Sequence, residues 1–362
     1  MYILYWRGYI LKNRLFLPIT IKGKTIRNRA VMPPMVRFGT AGNDGFVTEK
    51  HVEHYRERAK GGTGLIIVEA TCVQKEGRLS DDQLGIWSDE HIPGLSKIVQ
   101  ACQEHGAVVM LQIHHGGLKS PSSVIDLPVG PSKDEKVPSR ELTVEEIEQI
   151  KQDFLQAALR AKEAGFDGIE LHGAHGYLLN QFVSPITNRR TDEYGGDLKN
   201  RMKLSLDIIE TIKQELGNAK FIIGYRMGGN EPTLKDGIKI AKLLEDAGVD
   251  LLHVSAGIQS PELPLPEPPK SFPFNWIVYC GTEIKKNVSI PVIVVNGIRT
   301  SSQAALVIEN RLADFVAIGR GHLVDPFWTY KAMNKMEAKP CLECKPHCRW
   351  FTDGDLCPGR SI

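Results

Sequence analysis

The chain has 362 residues, 42% hydrophobic and 24% charged, with a formal net charge of +2; this excludes a disordered chain and fits a globular enzyme. No run of five or more like charges occurs, so nucleic acid and anionic membrane surfaces are not expected partners, and a small-molecule substrate is. The opening stretch MYILYWRGYILKNRLFLPI is apolar but interrupted by Arg7, Lys12 and Arg14. It lacks the run of about 18 apolar residues of a membrane span and the continuous h-region and cleavage site of a signal peptide. The chain therefore reads as cytoplasmic, with residues 1–14 as an N-terminal extension and the order of residues 1–12 left open.

In chain order, short β-branched runs alternate with helical stretches, the pattern of βα units feeding a parallel sheet. Eight strands are predicted: 29–33, 65–68, 108–112, 168–171, 221–226, 250–254, 292–295 and 315–318. Their apolarity is continuous rather than alternating, which predicts burial on both faces. Among the helices, 143–165 carries a capping box at Thr143 and Glu146 and a stop at Gly165. The predicted fold is a TIM (β/α)8 barrel over 15–335, followed by a Cys-rich extension over 336–362. The loops 117–142 and 258–273 are long and Pro-rich; as βα loops they would shape the substrate entrance.

Polar residues gather at the C-terminal ends of these strands, where barrel enzymes keep their chemistry. NGIRT at 296–300 and IGRGHLVDP at 318–326 place Gly297 and Gly319 after the last two strands, with Arg320 beside them. Backbone N–H groups and a helix N-terminus there make a phosphate site; the plain alternative is that the glycines only turn the chain. HGAHGY at 172–177 offers His172, His175 and Tyr177 on one loop. Imidazoles can polarise a carbonyl oxygen and a phenol can protonate a carbanion. Four imidazoles, His114, His115, His172 and His175, could instead ligate zinc or iron, although no Asp or Glu accompanies them on those loops. Gln112 ends strand three. Arg226 ends an otherwise apolar strand and needs an anionic partner, either a flavin N1/C2=O edge or a carboxylate such as Glu170.

Of seven cysteines, Cys72, Cys102 and Cys280 are scattered, whereas Cys341, Cys344, Cys348 and Cys357 fall within the last 22 residues. CLECKPHC with a fourth thiol eight residues on suits a [4Fe-4S] cluster or a structural zinc rather than disulfides.

The stretch ELHGAHGYLLNQFVSPITNRRTDEYGGDLKNR at 170–201, with NRAVMPPM at 28–35, GLIIVEAT at 64–71, LQIHHGG at 111–117 and IGRGHLVDP at 318–326, resembles the Old Yellow Enzyme family of flavin-dependent ene-reductases. The similarity runs from about Leu15 to Trp328. It implies that Pro33, Pro34, Met35, Val36 and Ala70 line the isoalloxazine of FMN, that Gln112 and Arg226 bond its pyrimidine edge, and that Gly297, Gly319 and Arg320 hold its phosphate. His172 and His175 would bind a substrate carbonyl oxygen, and Tyr177 would protonate the carbon α to it. Hydride would pass from NADH or NADPH through FMN to the C=C bond of an enone or enoyl thioester. Two alternatives are an NADH oxidase or amine dehydrogenase type of flavoenzyme, and an electron-transfer subunit. Departures from the family pattern are Val36, where a Cys or Thr is common, Phe38 for a substrate-contacting Tyr, and Leu118 for an Arg. The tail resembles that of the 2,4-dienoyl-CoA reductase branch, which implies a [4Fe-4S] cluster and, with it, an electron-transfer partner. Its fourth Cys is nearer than in that branch. Homo-oligomerisation and the choice of nicotinamide nucleotide are open.

Overall fold

Eight parallel strands close on themselves in the structure, a computed structural model that describes residues 13–360; residues 1–12 of the expected extension lie outside that range. The strands are β1 (Ala30–Met32), β2 (Leu65–Cys72), β3 (Val108–His114), β4 (Gly168–Gly173), β5 (Ile222–Gly228), β6 (Leu251–Ser255), β7 (Val292–Val295) and β8 (Phe315–Ala317). Each pairs with the next in sequence, and β8 closes onto β1. All eight predicted strands are present. Four of them, β2, β3, β4 and β5, run two to four residues further toward their C-terminal ends than predicted, because a polar side chain does not interrupt the backbone ladder.

The period of two explains the unbroken apolarity. One parity, including Leu65, Ile67, Val108, Met110, Ile222, Leu251, Ile293 and Phe315, forms a cluster inside the barrel. The other parity, including Ile66, Val68, Val109, Leu111, Ile169, Ile223, Leu252 and Val254, packs against the surrounding helices. Followed upward, the inward parity changes from apolar to polar: Gln112 and His114 on β3, Glu170 and His172 on β4, Arg226 on β5, His253 and Ser255 on β6. The strands' own alternation thus delivers these seven side chains to one mouth.

Two features flank the barrel. At its base a hairpin, Ile19–Ile21 paired with Lys24–Ile26, inserts Ile21 and Ile26 into the interior cluster. Its two-residue turn has Lys22 at φ 49° and Gly23 at φ 77°, the twist a tight hairpin requires. Lys24 Nζ donates to Asp167 Oδ1 at 2.7 Å, just below β4. Around the wall, the long helix Val144–Glu163 starts as the sequence predicts: Thr143 and Glu146 form the capping box, and Gly165 ends it at φ 95°.

The loop 117–142 contains a small ribbon pairing Val129–Gly130 with Arg140–Glu141, while 258–273 has neither strand nor helix. Beyond the helix Trp328–Met333 the described residues of the tail contain only 3-10 turns. It is fastened to the segment after β1. Trp350, 2% exposed, donates from Nε1 to the carbonyl of Val36 at 2.9 Å. Asp355 accepts from Arg37 at 2.7 Å and from Lys50 at 2.9 Å. Among the described residues no helix is long and apolar enough to cross a membrane.

Candidate active site

A cavity of about 620 Å³ opens at the barrel mouth, within the size range of small-ligand and cofactor sites. Its wall includes Pro33, Pro34 and Met35 after β1, Arg226 on β5, Gly297 after β7, and Gly319 and Arg320 after β8. Seven sequence-predicted residues therefore share one cavity. Gly297 is at φ 73°, and a Cβ there would stand 2.9 Å from Asn275 Nδ2, so this turn requires glycine. Thr300 caps the helix Ser301–Glu309, and both Thr300 and Ser301 reach the cavity. A helix N-terminus beside Arg320 suits an anion.

Arg226 stands at the centre of this arrangement. It is buried, its Nε has no partner, and its Nη2 reaches only Ser255 Oγ at 3.5 Å. Among the described residues it forms no ion pair within 4.0 Å. The alternative partner, Glu170, has both oxygens engaged elsewhere: Oε1 accepts from Gln112 Nε2 at 2.7 Å and Oε2 from His253 Nδ1 at 2.9 Å. Burial lowers the Arg226 pKa and the Glu170 charge raises it again. A buried guanidinium with a bare N–H fits a strongly accepting, electron-rich ligand edge.

Four rings converge beside it. The Tyr177 ring lies 4.9 Å from that of His172, 4.6 Å from that of His114 and 6.2 Å from that of His175. His172 pairs in register with Arg226. His175, at φ 62°, is bonded through Nε2 to Ser255 Oγ at 2.7 Å; backbone of this kind is costly and persists where the surroundings impose it. Desolvation, reinforced by Arg226 and by the neighbouring rings, pushes His172 and His175 well below the usual histidine range. Desolvation lowers His114 to about 3. Burial raises Tyr177. The site thus presents neutral imidazoles and a protonated phenol near neutral pH. His172 Nδ1 and both His114 nitrogens are buried without partners.

The four-histidine metal alternative is not formed. His115 faces elsewhere, its Nε2 on Gln74 Oε1 at 2.9 Å and its Nδ1 accepting from Gly117 N at 3.0 Å. Val36, Ala70 and Gln112 are not part of the cavity wall. Val36 carries the tail's Trp350 on its carbonyl, Ala70 sits where β2 breaks register against β3, and Gln112 is tied to Glu170.

The tail thiols are free, and Cys341, Cys344, Cys348 and Cys357 all line a second cavity of about 270 Å³ with Arg320 and Trp350. The expected ligand set is nevertheless not assembled: no group of three or more His, Cys, Asp or Glu among the described residues is arranged to hold a metal ion. Thiols are weak hydrogen-bonding groups and gain little by converging on one another. The tail's course is set instead by Trp350 and Asp355.

Sequence reasoning passes over several residues of the site. Ser255 lies one position past the predicted strand, and His253 lies inside it, a polar residue in an apolar run. Lys119, whose Nζ donates to the His175 carbonyl at 2.6 Å and stands 5.2 Å from the Tyr177 ring centre, lies just past the HHGG segment, after Leu118.

Barrel, anion cradle and unpaired arginine together suit a phosphate-bearing, electron-rich ligand at the barrel mouth. Comparison with known proteins agrees. Residues 14–339 match the model of the NADH:flavin oxidoreductase / NADH oxidase family, and the chain belongs to that family. It is 39% identical to an NADPH dehydrogenase of Geobacillus sp. (strain WCH70) over 331 residues, 90% of this chain and 95% of that one. It is 44% identical to an NADH oxidase of Thermoanaerobacter brockii over 351 residues, but spans only 53% of that relative's length. Among solved structures, a 2-naphthoyl-CoA reductase in complex with 2-naphthoyl-CoA superposes with a TM-score of 0.83 at 26% identity, covering 95% of this chain and 56% of that one. Morphinone reductase gives 0.77 at 25%, covering 95% and 94%. The protein is thus an NAD(P)H-linked flavin oxidoreductase of the Old Yellow Enzyme type.

Proposed function

We propose that the protein reduces the C=C bond of α,β-unsaturated carbonyl compounds or enoyl thioesters. The observation that carries this reading is a protonated phenol and two neutral imidazoles gathered beside a buried arginine at one barrel mouth. Similarity to morphinone reductase and to a reductase solved with an aromatic CoA thioester supports it.

The residues present fit FMN, on the unpaired Arg226 Nε and the glycine turn at the helix N-terminus. Arg226 and Gln112 would hold its pyrimidine edge, Pro33, Pro34, Met35, Val36 and Ala70 its ring, and Gly297, Gly319 and Arg320 its phosphate. Bound FMN supplies the hydride chemistry, taking two electrons from NADH or NADPH and giving them to the β carbon. His172 and His175 grip the carbonyl or thioester oxygen and stabilise the negative charge that grows there. Tyr177, kept protonated by burial, gives its proton to the α carbon on the opposite side of the bond.

The test separates the two half-reactions under anaerobic conditions. Tyr177→Phe is expected to leave flavin reduction by NAD(P)H intact and to slow oxidation by an enone by about 10² to 10⁴-fold. Equal losses in both would refute the role, and purified protein without flavin would refute the cofactor assignment.

A further reading concerns the tail. The shared cavity of the four cysteines favours them as ligands to a [4Fe-4S] cluster, with zinc as the alternative, closed by movement of the thiols. No step of the reaction above passes through such a centre.

A further inference from the structure

One buried carboxylate takes no part in the scheme above. Glu170 is 1% exposed and inward-facing on β4, level with Gln112 in the β3–β4 register. A carboxylate in such a place is tolerated only when donors and a counter-charge compensate it. Gln112 Nε2 and His253 Nδ1 are the donors, at 2.7 and 2.9 Å. His253 is fully buried and burial lowers its pKa, so it is a neutral ring whose Nδ1 carries the proton and whose Nε2 is unpartnered. The counter-charge is Arg226, which pairs in register with His253 and feels Glu170 without touching it.

Two consequences follow for the mouth. Because one N–H of the Gln112 amide is donated to Glu170, the amide is held in a single orientation, with its oxygen and its second N–H turned away from that carboxylate. Because Glu170 offsets Arg226, the positive field that the ligand's edge meets is weaker than a lone buried guanidinium would make it. A flavin gains negative charge at its N1/C2=O edge on reduction, so that field sets how strongly the reduced form is favoured.

We propose that Glu170, held by His253, is a positioning residue that orients the Gln112 amide and moderates Arg226, and thereby lowers the reduction potential of the bound cofactor. This rests on the FMN reading above. The measurement is the midpoint potential of bound FMN, with FMN affinity followed in parallel. Glu170→Gln keeps the shape, removes the charge and sets two donors against one remaining acceptor. The potential is expected to rise until reduced FMN is favoured about tenfold more than in the unchanged protein, about 30 mV for a two-electron couple. FMN binding should weaken as the Gln112 amide turns.

If Glu170→Gln does not fold, His253→Leu decides. It strips the carboxylate of one of its two donors, so that Glu170 and the Gln112 amide lose their fixed placement beside Arg226, and the potential is expected to move away from that of the unchanged protein. A potential equal to that of the unchanged protein in whichever variant binds FMN overturns the inference while leaving the functional reading standing. Failure of the unchanged protein to bind FMN would overturn the functional reading itself.

Discussion

Tyr177 shows how a single side chain can be assigned a direction of proton flow. Burial favours its neutral form, and Arg226 pulls the other way without prevailing. His172 and His175 are prevented from charging by desolvation and by neighbouring groups, Arg226 and His114 among them. The phenol is therefore the group with a proton to give and the imidazoles are uncharged donors, which is why Tyr177→Phe should slow only the alkene half-reaction. At this scale the sequence is informative where chemistry and position coincide. The run HGAHGY directly after an apolar strand identifies three of the converging rings. It is silent on partnership: nothing in the string says that Ser255 fixes His175 or that Glu170 bonds Gln112 and not Arg226, because those contacts join residues 58 to 80 positions apart.

Among the elements, the eight barrel strands were legible because burial on both faces leaves continuous apolar runs, and the helix Val144–Glu163 because its cap is written in Thr143 and Glu146. The hairpin Ile19–Ile26 was not, since three-residue strands carry too little periodicity; the Lys22–Gly23 turn was its one signal. The tail is the element whose chemistry outran its geometry. Its cysteine spacing points to a metal, yet the thiols stand around a cavity and not around an ion. If they close on a cluster, Cys348→Ser is expected to abolish bound iron or zinc in the purified protein; metal content equal to that of the unchanged chain would sink that reading.

For the whole molecule, eight buried histidines have lowered pKa values, among them His51 and His114 at about 3 and His115 and His322 at about 4. An unfolded histidine charges below about 6.5. Under acid the unfolded chain takes up protons that the fold refuses, so this contribution to stability is complete above pH 6.5 and is lost as pH falls toward 3 to 4. Glu69 and Glu231, raised by burial to about 7, act in the opposite sense: their contribution is present at low pH and lost as pH rises through 7. The histidines outnumber them. The urea midpoint of the flavin-loaded protein should therefore be lower at pH 5 than at pH 7, by about 1.4 kcal/mol of stability per pH unit for each net proton. A midpoint that does not move would contradict the neutral-imidazole description.

The tail's attachments carry one last implication. Met336 to Cys341 form part of the cavity's wall, Trp350 holds the Val36 carbonyl, and Glu343 pairs with Arg299 of the same wall. Docking of the tail and occupancy of the cavity are therefore two ligands of one body, and thermodynamic reciprocity binds them: each must alter the other by the same factor. Trp350→Phe should weaken FMN retention, and saturation with FMN should slow proteolysis of residues 336–360. No change in either would mean that the tail merely leans on the barrel, whereas a change in both would make this stretch of cysteines the latch by which the barrel keeps its cofactor.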